Sequence, residues 1–201
     1  MKTALILGVL VAGCGGDPSP QPVAAPNPLE NRLMEIARTY GQYGRVDDES
    51  RWAPYLCRMP NPSRARFSEA DGPHGRKLYF VSARDRQAYV SGATQPQPAE
   101  QVVVKESWIP VEAAAEEAPR GFGRPITHAR RDGRLYRTGE RAGLYIMIKT
   151  GGSETDAGWV YGTVSADGKV TSSGRVASCM SCHREAKSDR LFGLPSTEQS
   201  R

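Results

Sequence analysis

Five consecutive residues near the C-terminus combine two thiols and an imidazole at a spacing that suits one particular cofactor. They are Cys179-Met180-Ser181-Cys182-His183. In a Cys-x-x-Cys-His motif the two thiols form thioethers with the porphyrin vinyl groups, and the adjacent imidazole becomes an axial ligand of the iron. We therefore expect one covalently bound haem c, with Cys179 and Cys182 as its attachment points and His183 as the proximal iron ligand.

Other uses of two neighbouring cysteines fit this sequence less well. A zinc site needs about four ligands, and the remaining candidates, Cys57, His74 and His128, are scattered along the chain. A thioredoxin-like dithiol lies early in a βαβ unit, whereas this pair lies near the end of the chain. A structural disulfide between Cys179 and Cys182 is the remaining alternative.

The position of the motif restricts the second axial ligand of the iron. Only 18 residues follow His183, and none of them is methionine. This excludes the common electron-transfer arrangement, in which an N-terminal haem motif is completed by a methionine far downstream. The second ligand must come from upstream, or the position stays open. We expect an open, five-coordinate iron, which can bind small molecules; the upstream candidates for a sixth ligand are His74, His128, Met34, Met59 and Met147.

The N-terminal residues indicate export. Residues 1–13 contain one lysine, an apolar run and then small residues before Cys14, as in a signal peptide that is too short to remain as a membrane span. The residues around Cys14 resemble a bacterial lipobox, so we expect a lipid on this cysteine; a plain signal peptide is the alternative. Residues 14–28 are rich in proline and glycine and are expected to form a flexible tether. The expected location is the periplasm or cell envelope, and Gly15 favours the outer membrane.

Composition narrows the class of partner. The chain has 201 residues, enough for one domain of ordinary size, which we place at residues 29–195, and a formal net charge of +5. Nucleic acid is not expected as a partner, because no platform of closely spaced aromatic residues accompanies the arginines. The charge is interpreted as solvated surface, with a docking patch as the minority interpretation. Cys57 is interpreted as a small core residue.

The hydrophobic pattern predicts an α+β fold with an antiparallel sheet and flanking helices. Apolar residues at three- and four-residue spacing predict a helix from Leu29 to Tyr43, after the start signal Asn27-Pro28. A short helix is predicted from Ala83 to Val90, and Arg51 to Pro62 is predicted to be irregular. The predicted strands are Lys77 to Ser82, Gln101 to Val111, Gly143 to Lys149 and Trp159 to Val164, with a turn at Ala166-Asp167-Gly168.

Four segments together resemble the cytochrome P-460 family, which also includes the beta-type cytochromes c prime. The run CMSCHREAKSDRLFG resembles the end of that family's sequences. The strand VVVKESW resembles its Val-Lys-Glu strand, GLYIMIKTGG resembles its Gly-Leu strand, and DAGWVYGTV resembles the Gly-Trp strand before the haem motif. The resemblance extends from about Lys77 to Gly193, and the segments occur in the family's order.

The resemblance implies an antiparallel sheet beside the haem, a homodimer, and a lysine bonded covalently to the porphyrin edge in members that oxidise hydroxylamine or convert nitric oxide. The position in this sequence that matches the lysine is Lys105. Without the resemblance, Lys105 would be interpreted as an exposed strand lysine that pairs with Glu106 or with a carboxylate on a neighbouring strand. Hydroxylamine-oxidising members have a distal carboxylate, and Tyr145 stands at the matching position. Because tyrosine is a poor base near neutrality, Glu106 or Asp156 would have to replace that carboxylate, if the fold brings either of them near the iron.

These features predict a secreted or lipid-anchored monohaem cytochrome that binds, and converts by a redox reaction, a small nitrogenous ligand such as hydroxylamine or nitric oxide. A periplasmic electron-transfer partner is expected, and membrane contact is expected through the lipid alone. Two other functions stay open: a gas-binding protein without turnover, and a simple electron carrier.

Overall fold

An antiparallel sheet forms the centre of this computed structural model, which describes residues 27–49, 61–68, 75–92, 95–115 and 124–192. The predictions for residues 1–13, for the tether, for most of the irregular segment, and for Cys14, Cys57, Met59 and His74 lie outside these residues. Within the described part, no helix is long and apolar enough to cross a membrane.

The described residues contain three α-helices and eight strands. The helices are α1 (Pro28–Thr39), α2 (Arg86–Ser91) and α3 (Ala177–His183), and a 3-10 turn, Tyr40–Gln42, follows α1. The strands are β1 (Gly44–Arg45), β2 (Arg66–Phe67), β3 (Leu78–Ala83), β4 (Val102–Ala113), β5 (His128–Arg131), β6 (Arg134–Lys149), β7 (Trp159–Ser165) and β8 (Val170–Gly174). The predicted α+β class with an antiparallel sheet is confirmed for this part of the chain.

All strand pairs in the sheet are antiparallel. The main path runs β1-β3-β4-β6-β7-β8, with β2 also paired to β3 and β5 paired to β6. Sequence-adjacent strands β6, β7 and β8 are spatial neighbours. β4 pairs with β6, and β5, which lies between them in the sequence, forms a hairpin with the outer end of β6. The longest strands, β4 and β6, therefore form the middle of the sheet.

The first face of the sheet is covered by α1. Asn27 caps this helix by accepting a hydrogen bond from the backbone N–H of Leu29 at 3.0 Å, and Leu33 and Ile36 are its fully buried residues. A Cβ on Gly162 of β7 would lie 2.4 Å from Leu33 Cδ1, so the absence of a side chain there lets the helix approach the sheet. The remaining residues of this core are Val102, Val104, Leu144, Ile146, Ile148, Val160 and Val164.

The opposite face carries the alternate residues of the same strands. Val103, Met147, Trp159 and Tyr161 belong to a second apolar cluster, which also includes Tyr89 of α2 and Leu191 beyond α3. Cys179 and Met180 of α3 pack against this cluster. The haem motif is thus held against the face of the sheet that α1 does not cover.

Several predicted boundaries were wrong. The predicted Ala83–Val90 helix begins at Arg86, because Ala83 still pairs in β3 and Asp85 caps the helix by accepting from Ala88 N at 2.8 Å. The prediction of Gly143 to Lys149 was too short, because β6 begins at Arg134, and strands β5 and β8 were not predicted. These missed segments are exposed or half-buried along most of their length, so they lack the apolar signal that marks a strand.

Candidate functional site

A cavity of about 530 Å³ lies between α3 and the second face of the sheet. Cys179, Cys182 and His183 of α3 line one part of it, and Lys105 of β4 and Tyr145 of β6 line another. Most of the remaining lining is apolar or aromatic: Val46, Tyr79, Phe80, Val81, Tyr89, Val103, Ile146, Met147, Tyr161, Leu191 and Phe192. Its size and apolar lining are those of an ordinary cofactor site.

The two cysteines are unpaired thiols on one turn of α3. Cys179 is half-buried and Cys182 is exposed, and burial raises the pKa of the Cys179 thiol above its ordinary value. Their three-residue spacing places both on the same side of the helix, and both line the cavity. The alternative of a disulfide between them does not describe this structure.

The imidazole of His183 is fixed by a hydrogen bond from its Nδ1. This atom lies 2.6 Å from the backbone carbonyl oxygen of Arg190, and because a carbonyl can only accept, Nδ1 carries the proton. The ring also packs between the rings of Tyr161 and Phe192, with centroid distances of 5.5 and 5.4 Å. Burial lowers the pKa of His183, which favours the neutral form with Nε2 left to act as a metal ligand.

Lys105 directs its side chain into the cavity from the middle of β4. In the sheet it is paired with Val81 of β3 and Tyr145 of β6. Its Nζ lies 4.4 Å from the centroid of the Tyr79 ring and 3.5 Å from Ser68 Oγ. Burial lowers the pKa of Lys105 to about 8, so far more of the amine is unprotonated near neutrality than for a solvated lysine.

The interpretation of Lys105 as an exposed lysine paired with Glu106 was wrong. Consecutive residues of a strand point to opposite faces, and Glu106 lies on the α1 side, where its carboxylate accepts from Tyr40 Oη at 2.6 Å and from Arg45 Nη2 at 3.4 Å. Glu106 therefore does not line the cavity, and it does not replace the distal carboxylate.

A family model for cytochrome P460 matches residues 65–192, which is more than half of the chain. This chain belongs to the cytochrome P460 family. The comparison with curated proteins finds no match. Membership implies that the chain binds haem. The structure fits that group, since one cavity of cofactor size brings together two free thiols and a neutral imidazole.

Two further carboxylates in this cytochrome P460 family member are already engaged. Asp156, the second proposed replacement, is 5% exposed and accepts hydrogen bonds from Arg190 and Tyr161 on the side of the sheet near His183. Among the described residues that line the cavity, Asp47 supplies the carboxylate, and its oxygens accept from Ser63 Oγ at 2.8 Å and Arg64 N at 3.1 Å. Asp47 was not among the sequence candidates, because no local motif marks it.

Three of the proposed sixth ligands can be located. Met147 lines the cavity and packs in the cluster beside α3. Met34 lies on α1, across the sheet from the cavity. His128 begins β5 and does not line the cavity; its Nδ1 lies 3.2 Å from Thr127 Oγ1. Among the described residues, no group of three or more His, Cys, Asp or Glu side chains forms a metal site.

Asp189 attaches the loop after α3 to the sheet, a role that the sequence analysis did not predict. Asp189 Oδ1 accepts from Lys149 Nζ at 2.5 Å and from Trp159 Nε1 at 3.0 Å, and Oδ2 accepts from the backbone of Gln97 at 2.7 Å. These partners lie 30 to 92 residues away in the chain. No periodicity could have revealed them, although Asp189 is part of the C-terminal run that carries the family resemblance.

Proposed function

We propose that this protein is an exported haem c cytochrome that binds a small nitrogenous ligand, hydroxylamine or nitric oxide, and converts it by a redox reaction. The observation that supports this proposal is the meeting of five side chains at one cavity: Cys179, Cys182, His183, Lys105 and Tyr145. The first two would hold one haem as thioethers, and His183 would be its proximal ligand. The bound haem supplies ligand binding and electron transfer.

The chain's own residues prepare the site in three ways. The Arg190 carbonyl keeps the proton on Nδ1 of His183, so that Nε2 is left unprotonated and would be the atom that ligates the iron. The apolar and aromatic lining excludes water and strengthens the remaining polar interactions. Lys105, with its pKa lowered to about 8 by burial, has a larger unprotonated fraction near neutrality than a solvated lysine, which would favour a bond between its amine and the porphyrin edge.

Tyr145 supports a second candidate function, which is gas binding without turnover. It stands where hydroxylamine-oxidising members of the family have a carboxylate, and burial raises its pKa above the ordinary value for tyrosine. A phenol with a raised pKa donates a hydrogen bond to a bound ligand and does not take up a proton near neutrality. A simple electron carrier is the third candidate, and it would need a sixth ligand such as Met147.

The absorption spectrum of the dithionite-reduced protein tests the proposal most directly. The protein is produced in a bacterium that attaches haem c, beside Lys105→Ala and a control, Lys169→Ala, which removes an exposed lysine that does not line the cavity. A broad red-shifted band that disappears only in Lys105→Ala supports the cross-link and favours redox conversion. An ordinary haem c spectrum in all three proteins would point to gas binding or electron transfer instead.

Two ligand experiments then distinguish the three candidates. Carbon monoxide binds at once to a five-coordinate iron and slowly or not at all to a six-coordinate carrier. Hydroxylamine consumption with an artificial electron acceptor separates turnover from binding alone. Carbon monoxide binding without hydroxylamine consumption would support gas binding without turnover. A protein that does not bind carbon monoxide would be a simple electron carrier.

The cellular setting is part of the proposal. Cys14 would carry a lipid that anchors the protein in the cell envelope, with the outer membrane favoured, and a periplasmic redox protein would exchange electrons with it. Metabolic labelling with a radioactive fatty acid, compared between the parent and Cys14→Ser, tests the anchor. Sedimentation of the purified haem-bound protein tests the proposed homodimer.

A further inference from the structure

The carbonyl that accepts the His183 proton belongs to a residue in an unfavourable backbone conformation. Asp189 and Arg190 have φ values of 40° and 62°, in the left-handed region that is unfavourable for residues with a side chain. Such a conformation persists only where surrounding contacts impose it. The contacts of this loop therefore decide where the Arg190 carbonyl lies.

The Arg190 side chain supplies one of these contacts. Its Nε and Nη2 donate to the two oxygens of Asp156 at 3.1 and 3.0 Å, which is the paired geometry of a strong arginine–carboxylate interaction. Arg184 Nε lies 3.7 Å from the same carboxylate. The residue that holds His183 by its backbone is thus itself held by Asp156 through its side chain.

Tyr161 provides a second connection between the same two residues. Its hydroxyl donates to Asp156 Oδ2 at 2.9 Å, and its ring packs against the imidazole of His183. Burial raises the pKa of Asp156, but the hydrogen bonds from Arg190 and Tyr161 outweigh it and keep the pKa below the ordinary value. An ionised carboxylate that is 5% exposed therefore contacts both supports of the imidazole.

The position of Asp156 is also fixed. Its backbone exchanges two hydrogen bonds with Trp159, at 2.9 and 3.0 Å, across a tight turn at the start of β7. Trp159 is fully buried. The carboxylate is therefore attached to the central sheet, and it can transmit that rigidity to the loop.

We propose that Asp156 is a positioning residue that, through Arg190 and Tyr161, fixes the hydrogen bond to His183 Nδ1 and thereby sets the reduction potential of the iron. The inference rests on the proposed function, in which His183 ligates haem. A firmly held acceptor on Nδ1 makes the imidazole a stronger donor to iron and favours the oxidised state. Loss of the carboxylate would loosen this acceptor and leave the Arg190 charge unbalanced nearby, and both effects favour the reduced state.

The test compares Asp156→Asn with Asp167→Asn in the purified haem-bound protein. Both variants remove one carboxylate charge, but Asp167 lies in the exposed turn before β8, where it pairs with Ser165 and Lys169. Asp156→Asn is expected to favour reduction about tenfold, which is ~59 mV for a one-electron couple. It is also expected to lower the iron–histidine stretching frequency in the Raman spectrum of the reduced protein. Asp167→Asn should change neither quantity.

The outcomes separate this inference from the proposed function. Intact mass shows whether haem is attached, and the parent's iron–histidine band shows whether a histidine ligates the iron, as His183 is proposed to do. A parent without haem or without that band overturns both. A parent with both, and an Asp156→Asn protein with the parent's potential and band, overturns the positioning role alone. If Asp156→Asn does not fold, Tyr161→Phe tests the positioning role, because it keeps the aromatic ring and the Asp156–Arg190 ion pair and removes only the hydroxyl. A shift of the potential and the band in the direction expected for Asp156→Asn supports the role. An unchanged potential and an unchanged band overturn it.

Discussion

Substitution of Asp189 by asparagine should strongly destabilise the protein. The Asp189 side chain is 12% exposed and its partner Lys149 is 16% exposed, so water cannot replace the lost interactions. Asparagine keeps the shape of the side chain, but it offers one acceptor oxygen and an NH₂ group, which faces either the donors Lys149 Nζ and Trp159 Nε1 or the backbone N–H of Gln97. The change therefore leaves at least one buried donor without an acceptor.

The expected loss in the free energy of unfolding follows from these contacts. Three hydrogen bonds to a charged acceptor are each worth ~1.5–3 kcal/mol, and they are not additive. Removing one partner of a buried ion pair costs ~3–5 kcal/mol. With an m-value of ~2 kcal/mol/M, a loss of about 4 kcal/mol lowers the urea midpoint by ~2 M.

Urea denaturation of the haem-bound protein, followed by tryptophan fluorescence and by circular dichroism, measures this change. Asp167→Asn, which alters an exposed carboxylate, should leave the midpoint unchanged. In the double variant Asp189→Asn/Lys149→Met the cost should be smaller than the sum of the single changes, because neither charge is then left buried without its partner. A midpoint shift below ~0.5 M in Asp189→Asn would refute the role we assign to this ion pair.

The same carboxylate predicts how stability depends on pH. Burial raises the pKa of Asp189, but the hydrogen bonds from Lys149, Gln97 and Trp159 outweigh it and hold the pKa below the ordinary value for an aspartate. A carboxyl whose pKa is lowered in the folded state contributes stability that is complete above its unfolded pKa and is lost as pH falls through the folded value. The parent should therefore lose more stability than Asp189→Asn between about pH 5 and pH 2, measured by urea titration at each pH.

Three further variants test the division between the two faces of the sheet. Gly162→Ala should lower the free energy of unfolding by ~1–3 kcal/mol, because the added Cβ would overlap Leu33. Gly41→Ala is the control, because a Cβ there meets no atom within 4 Å. Equal urea midpoints for the two variants would contradict the packing of α1 on β7. Glu106→Gln should lower the urea midpoint, because the side chain's contacts with Tyr40 and Arg45 are weakened. It should leave the affinity for nitric oxide unchanged, since the Glu106 carboxylate lies across the sheet from the cavity. An altered affinity would contradict that placement. Tyr145→Phe should speed dissociation of bound nitric oxide about fivefold, the loss expected for one hydrogen bond of ~1 kcal/mol, and an unchanged rate in stopped-flow measurements would exclude contact between this hydroxyl and the ligand.

The fold could be predicted from the sequence where apolar residues mark an element. The helix starting after Asn27 was found because its buried residues, Leu33 and Ile36, belong to an apolar stripe on one face, and the strands around Val103, Ile146 and Val160 were found because most of their residues are buried and apolar. The outer half of β6, from Arg134 to Arg141, was missed because it extends beyond the core and carries three arginines and one glutamate. In that half the strand is held by hydrogen-bonded pairing with β4 and β5. Such pairing produces no apolar pattern in the local sequence.

The site could be predicted only where one short segment contains the chemistry. Cys179, Cys182 and His183 lie on one helical turn, so their spacing alone indicated their cooperation. Lys105 and Tyr145 were proposed through the family resemblance, and their opposed positions on β4 and β6 follow from a strand register that the sequence does not display. Asp156 contacts Arg190, 34 positions away, and Asp189 contacts Trp159, 30 positions away, and a single sequence contains no signal for such pairs.

The register of β4 determines what the cavity contains. Its run of three valines followed by Lys105 and Glu106 is apolar on both faces, because Val102 and Val104 face α1 while Val103 faces the cavity. Hydrophobicity alone would therefore tolerate a slip of one residue, which would exchange the amine in the cavity for a carboxylate. The polar contacts oppose that slip, since Glu106 finds Tyr40 and Arg45 on one side and Lys105 finds the Tyr79 ring on the other. The pairing of β4 with β6 becomes irregular only after Ser107, so the regular register extends through the β4 residues that line the cavity. The charged pair at 105 and 106 thus specifies the alignment that the valines leave undecided.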